Sequence, residues 1–308
     1  MCGIAGYLDK RTASAPVGNV LLGMLEALGK RGPDSAGLAL MGPTPDSREV
    51  CWICLPEDRD LESAVDVALD LVKSVARVRD HRVSGGMVRL EIARQCDVVE
   101  FCRRVEDPRH GLEIVSLGKN LELVKQVGSP RNLAHALDVR RFKGSHGIGH
   151  TRLSTESKVD LSHSQPFWAR GVPDLATVHN GHITNYHRLR RIYEQKGVRF
   201  FTENDSEVIG VYLADQMSAG RSLEEAMVRS LQDLDGSFTY LVATPDLLGY
   251  ARDPFALKPL ITVETDGYVA IANEEVAIRA ALGTDGVAHE PSGNVHRIWS
   301  RARQAALA

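Results

Sequence analysis

Aromatic residues make up only 6% of this 308-residue chain, cysteine occurs five times, and neither sign of charge dominates: 37 Lys and Arg stand against 40 Asp and Glu, for a formal net charge of -3. So even a balance gives no field to attract nucleic acid or an anionic membrane surface. No apolar run nears the roughly 18 residues that a membrane-spanning helix needs. The N-terminus, MCGIAGYLDK, lacks a basic segment followed by a long apolar one, so it does not read as a secretory leader. Five cysteines in a chain of this length do not make a disulfide scaffold, and a reducing, cytoplasmic setting is the expectation. What is present is ordinary for a globular protein: 43% hydrophobic and 25% charged residues, enough to bury a proper core in one large domain or two modest ones.

Residues 2–8 read as a short strand, and Val20, Leu21, Met24, Leu25 and Leu28 fall at helical spacing. The turn-rich KRGPDSAG precedes a strand, GLALM. Between about Gly42 and Lys143 the texture changes. The spacing predicts an amphipathic helix over 62–78, a strand over 87–92, and a hairpin of 113–115 with 121–127 around Gly118–Asn120. Beyond His146, a strand at 176–178 runs into HNG, and helices are expected at 186–196, 206–217 and 223–231. Asp205-Ser206 suits the N-terminal cap of the second. Strands follow at 237–243, 248–251 and 268–272. Strands early, helices in the middle and strands late predict an α+β arrangement of sheets layered with helices, not a doubly wound βαβ sheet.

Cys2 is the first candidate for chemistry. A cysteine is small enough for the initiator methionine to be removed, which would put a free α-amine on the residue that carries the thiol. With reference pKa values of about 7.7–8.0 for the amine and about 8.5 for the thiol, the amine can accept the thiol proton near neutral pH. A nucleophile with its own base suits amide cleavage. If Met1 stays, that amine is locked in a peptide bond. A buried strand cysteine is the plainer reading of Cys2 alone.

MCGIAG, RGPDSAG, GHTRLST (149–155), SQPF (164–167), HNGHITN (179–185), NDSEV (204–208) and RDPFALKPL (252–260) occur in one order. That order resembles the class II glutamine amidotransferase domain over residues 2–41 and about 146–280. The resemblance implies a four-layer αββα sandwich of the N-terminal nucleophile hydrolase type. It implies one domain over 2–308, interrupted by an inserted α/β subdomain at about 43–145. Position by position, it makes Cys2 the nucleophile, and the Asn180 side-chain amide with the Gly181 N–H the oxyanion hole. Arg152 matches the arginine for the substrate α-carboxylate, Asp205 the carboxylate for its α-amino group, and Thr155 a hydroxyl contact. Arg31 matches an arginine near the nucleophile that helps set the N-terminus. Alone, Asn-Gly reads as a turn, Arg152 as an ion-pair partner and Asp205 as a helix cap. His179 and His182 are expected to serve packing or loop bonding.

No metal or organic cofactor is implied. Cys51 and Cys54 have the spacing of a zinc or redox pair, with Cys96 and Cys102 downstream, but they read equally well as an apolar strand. Ala256 stands where the more common RDPxGxxPL has glycine. About thirty residues follow the last strands, too few for a synthetase domain, so the ammonia is expected to serve a separate polypeptide. The split glutamate synthase and N-methylglutamate synthase systems are the nearest resemblance. They imply L-glutamine as substrate, and a hetero-oligomer with an FMN-containing synthase and a glycine-rich domain chain. An N-terminal-nucleophile enzyme acting on another amide, and a non-catalytic regulatory subunit, are the alternatives; Arg152 and Asp205 weigh against the first, Cys2 and HNG against the second.

Overall fold

The computed structural model describes residues 2–42, 48–135, 138–154, 158–283 and 286–300. In chain order, the first half contains β1 (Gly3–Asp9), α1 (Val17–Ala27), β2 (Ser35–Met41), β3 (Glu49–Cys54), α2 (Leu61–Lys73), β4 (Ala76–Ser84), β5 (Met87–Arg94), α3 (Val98–Val105), β6 (Glu113–Gly118) and β7 (Leu121–Val127). The middle contains β8 (His146–Arg152), β9 (Phe167–Trp168), β10 (Ala176–Ile183), α4 (Tyr186–Gln195), α5 (Glu207–Ser218) and α6 (Leu223–Asp233). The chain continues through β11 (Gly236–Ala243), β12 (Leu247–Arg252), β13 (Ile261–Glu264), β14 (Tyr268–Ala272), α7 (Glu275–Leu282), β15 (Ala288–His289) and β16 (Val295–Ser300).

Two antiparallel sheets face each other. One runs β15-β13-β14-β1-β8-β2-β7 and the other β16-β12-β11-β10-β9. Alternation along each strand sends one set of side chains into the space between the sheets. Ile4, Leu8 and Ile148 enter it from the first sheet, and Val178, Leu241 and Leu248 from the second. The opposite faces are covered by helices: α1 and α7 on the first sheet, α4, α5 and α6 on the second. The expected αββα order of layers is therefore present. Helix α1 is held by fully buried Leu21, Leu22, Met24 and Leu25, each worth about 1.5–3 kcal/mol of transfer free energy.

The stretch after β2 is divided between two places. β3 to β6 form a separate four-stranded sheet, ordered β4-β5-β3-β6, with α2 and α3 packed on it. β7 returns to the large sheet as its edge, paired with β2. The expected hairpin of 113–115 with 121–127 does not form, since β6 and β7 belong to different sheets. Its turn is redirected by a distant residue: the Asp174 carboxylate accepts the N–H groups of Lys119, Asn120 and Leu121 at 3.0, 2.7 and 2.9 Å. The helix expected to reach residue 78 stops at Lys73, and Ala76 starts the edge strand β4. Among the described residues no helix is long and apolar enough to cross a membrane.

Candidate active site

Strand β1 brings Cys2 to the middle of the large sheet. Gly3 pairs with Thr151 on β8, so the thiol arrives beside Arg152 and the loop that follows it. The Cys2 Sγ lies 3.8 Å from the Leu153 carbonyl. Arg31 Nε donates to the Cys2 carbonyl at 3.2 Å, and Arg31 Nη1 pairs with Glu274. Arg31 thus fixes the main chain of Cys2 and is not part of the cavity wall. Asp34 secures the neighbouring loop: its N–H donates to the Arg152 carbonyl at 3.0 Å and its carboxylate accepts the Ser154 N–H at 2.7 Å. Arg152 itself is 4% exposed, with Nη1 donating to the Lys158 carbonyl at 2.7 Å. Thr155 lies outside the described residues.

The second sheet supplies HNG from β10. Gly181 has φ +147°, a conformation that L side chains rarely adopt, and a Cβ there would come within 2.2 Å of the Ser237 carbonyl oxygen. Only glycine fits. Asn180 is 3% exposed, and its Nδ2 has no partner among the described residues. A buried donor left unpaired costs about 1–3 kcal/mol; of this pair, Gly181 lines the cavity that holds Cys2 and Asn180 does not.

Asp205 and Ser206 precede α5, as expected, but they do not cap it. Ser206 occupies the cap position without a capping bond. Its hydroxyl lies 2.8 Å from His179 Nδ1 and accepts from Gln165 Nε2 at 3.0 Å. The Asp205 Oδ2 accepts the Ile183 N–H at 2.7 Å, and the exposed His182 ring lies 3.5 Å from the same oxygen. Competition from β10 for both side chains explains the missing cap.

Cys2, Arg152, Gly181 and Asp205 line one cavity of about 370 Å³, together with Gln165 and His179. A carboxylate and a guanidinium therefore share a chamber with a thiol and a glycine. Burial pushes the Cys2 thiol above its usual value, partly offset by its bond to Leu153. Burial also holds His179 down, and takes His150 to about 3, so both imidazoles are neutral near pH 7. A thiol so placed needs a base close by to become a nucleophile. A larger cavity of about 590 Å³ opens around Gly111, Asp160 and Cys54. Burial pushes the Cys54 thiol on its wall up to about 12.

The sequence singles out SQPF and HNG and gives His179 packing or loop bonding, which the contact of its ring with Ser206 at 2.8 Å matches. It assigns no work to Gln165, whose role emerges only from a contact across 14 positions. Cys51 and Cys54 face opposite sides of β3, which separates the suspected zinc pair. Among the described residues no group of three His, Cys, Asp or Glu side chains is placed to hold a metal ion.

A family model described as a glutamine amidotransferase domain matches residues 150–280. A Methanothermobacter thermautotrophicus protein bearing a glutamine amidotransferase name is 37% identical over 301 residues, covering 96% of this chain and 98% of its own length. The glutamine amidotransferase-like protein GlxB of Rhizobium meliloti is 38% identical over 287 residues, covering 90% of this chain and 91% of its own. Among solved structures, the glutamine phosphoribosylpyrophosphate amidotransferase of B. subtilis shares the fold at TM-score 0.62 and 19% identity. That match takes in 97% of this chain, which spans 49% of the length of the B. subtilis enzyme.

Proposed function

The chain belongs to the class II glutamine amidotransferase family, and from that premise we propose that it hydrolyses L-glutamine to glutamate and ammonia through Cys2. One observation carries the reading: residues from four separate segments, Cys2, Arg152, Gly181 and Asp205, converge on a single cavity. The Arg152 guanidinium offers a two-pronged donor to the substrate α-carboxylate. Asp205 takes the α-ammonium, and Thr155 adds a hydroxyl contact. Opposed charges around its α-carbon select a free amino acid and leave its carboxamide facing Cys2. Arg31 sets the N-terminal main chain.

Loss of Met1 exposes the Cys2 amine, which takes the thiol proton. Sγ then bonds to the carboxamide carbon, and the displaced electron pair moves onto oxygen. The Asn180 amide and the Gly181 N–H stabilise that oxyanion. Collapse breaks the C–N bond, the Cys2 ammonium returns its proton to the leaving nitrogen, and ammonia departs from a thioester. Water, deprotonated by the same amine, attacks the thioester; glutamate leaves and the thiol is restored.

On this reading the ammonia passes to a separate synthase subunit of glutamate or N-methylglutamate synthase type, within a cytoplasmic hetero-oligomer that includes an FMN-containing synthase and a glycine-rich domain chain. The 43–145 stretch, read as an insertion in a single 2–308 domain, and the SHSQPFW segment support that choice.

The test is ammonia release by wild type and Cys2→Ala, with intact-mass measurement of the N-terminus. We expect a mature chain without Met1 and loss of turnover in Cys2→Ala. The protonated amine cannot accept a proton, so kcat/KM should fall as pH drops below about 7.7–8.0. Full-speed glutamine hydrolysis by a chain that retains Met1 would refute the proposal.

A further inference from the structure

Strand β9 is two residues long, and it pairs with β10 only at Ala176 and Thr177. The residue before it is Pro166, which has no N–H to continue the ladder. The main-chain groups of His179 on β10 therefore lose a backbone neighbour on that edge, one residue short of Asn180. The side chain of Gln165 takes the vacant place. Its Oε1 accepts the His179 N–H at 2.6 Å, and its Nε2 donates to the His179 carbonyl at 3.2 Å. An amide side chain thus reproduces the two bonds a neighbouring strand residue would make.

Gln165 is itself anchored. It is 3% exposed, and its Nε2 also donates to the Ser206 hydroxyl at 3.0 Å, beside Asp205. Its carbonyl packs against Gly37, where a Cβ would approach to 2.3 Å. His150 Nε2 gives the His179 carbonyl a second contact at 3.1 Å, but among the described residues only Gln165 holds both His179 main-chain groups. The peptide units that follow carry the Asn180 side chain and the Gly181 N–H.

We propose that Gln165 is a positioning residue for the oxyanion donors Asn180 and Gly181, acting through its two-point grip on the His179 main chain. This rests on the glutaminase reading above. It predicts a selective defect: the oxyanion donors drift while the nucleophile and the charged groups around glutamine's α-carbon stay in place.

The experiment compares Gln165→Met, which keeps the bulk and loses all three hydrogen bonds, with Gln165→Glu, which keeps an acceptor for the His179 N–H. Steady-state glutaminase kinetics are paired with the rate of Cys2 alkylation by iodoacetamide, which needs no oxyanion donor. For Gln165→Met we expect kcat to fall about 10²-fold, the scale of a slightly misplaced reacting group. KM and the alkylation rate should stay within about threefold of wild type. Gln165→Glu should recover part of the lost kcat, and it alone carries the test if the Met variant does not fold, with kcat then between the wild-type value and a hundredfold loss. Unchanged kcat in the variant measured, or a parallel collapse of kcat, KM and alkylation, overturns the positioning role. A wild-type chain that cannot turn over glutamine instead overturns the reading on which it rests.

Discussion

In the four-stranded outer sheet the charged side chains find one another. Arg94 holds Glu49 through bonds of 2.6 and 2.7 Å, Glu91 receives both Arg89 and Arg48, and Arg89 also reaches across to Glu122 on β7 of the large sheet. On β8 and β10 buried nitrogens are left open: Asn180 Nδ2, His179 Nε2 and His150 Nδ1 have no partner among the described residues. Both regions belong to one fold; ion pairs mark the first, although Ser116 Oγ on β6 has no partner among the described residues, and unpartnered buried nitrogens mark the second. Paired charges hold geometry and are costly to break singly. The Asn180 amide is a donor, whereas His150 Nδ1 is the acceptor nitrogen of a neutral ring whose Nε2 donates to the His179 carbonyl. A donor fixed in advance is useful when negative charge appears during a reaction.

Substitutions can break or sharpen that contrast. The largest effect after loss of Cys2 itself is expected for Asn180→Ala, which removes an open donor. Its kcat for glutamine should fall about 10²–10³-fold, with the unfolding midpoint unchanged or slightly raised; an unaltered kcat would take Asn180 out of the oxyanion role. Next comes Asp205→Asn, which keeps an acceptor for the Ile183 N–H but removes the charge. Losing a charge-assisted bond to the substrate ammonium should raise KM about tenfold or more, and saturation curves that overlay the wild type would contradict it. Smallest in activity is Glu49→Gln in the outer sheet. It leaves Arg94 without its charged partner and should cost about 1–3 kcal/mol of stability, read by denaturant unfolding, while kcat stays at the wild-type value. A catalytic defect there would erase the distinction between the two regions.

Much of the sandwich was legible because alternation and helical spacing are local. Helix α1 and strands β2, β5, β11, β12 and β14 lie close to where apolar periodicity puts them. The convergence of Cys2, Arg152, Gly181 and Asp205 was legible only through ordered motifs, since no local rule joins positions 2 and 205. The errors share a physical source. Val75, Ala76 and Val78 extend the apolar spacing of α2, but the chain leaves the helix after Lys73 and pairs β4 with β5. The 113–127 hairpin fails because its turn is bonded by Asp174, more than fifty positions away. Gln165 escaped notice for the same reason: a glutamine gives no sign in sequence that it stands in for a strand. Asp205-Ser206 did look like a cap, and a pattern of residues cannot report that β10 competes for the same oxygens.

Asp174 has one more consequence. It sits two residues ahead of β10, with φ +61°, while its carboxylate grips the turn where the chain passes from the outer sheet into the large one. That turn and the root of the Asn180 strand are thus fastened by a single rivet. The Asp174 N–H also donates to the Leu117 carbonyl at 3.1 Å, so the passage between the two sheets is clasped through main chain and side chain alike.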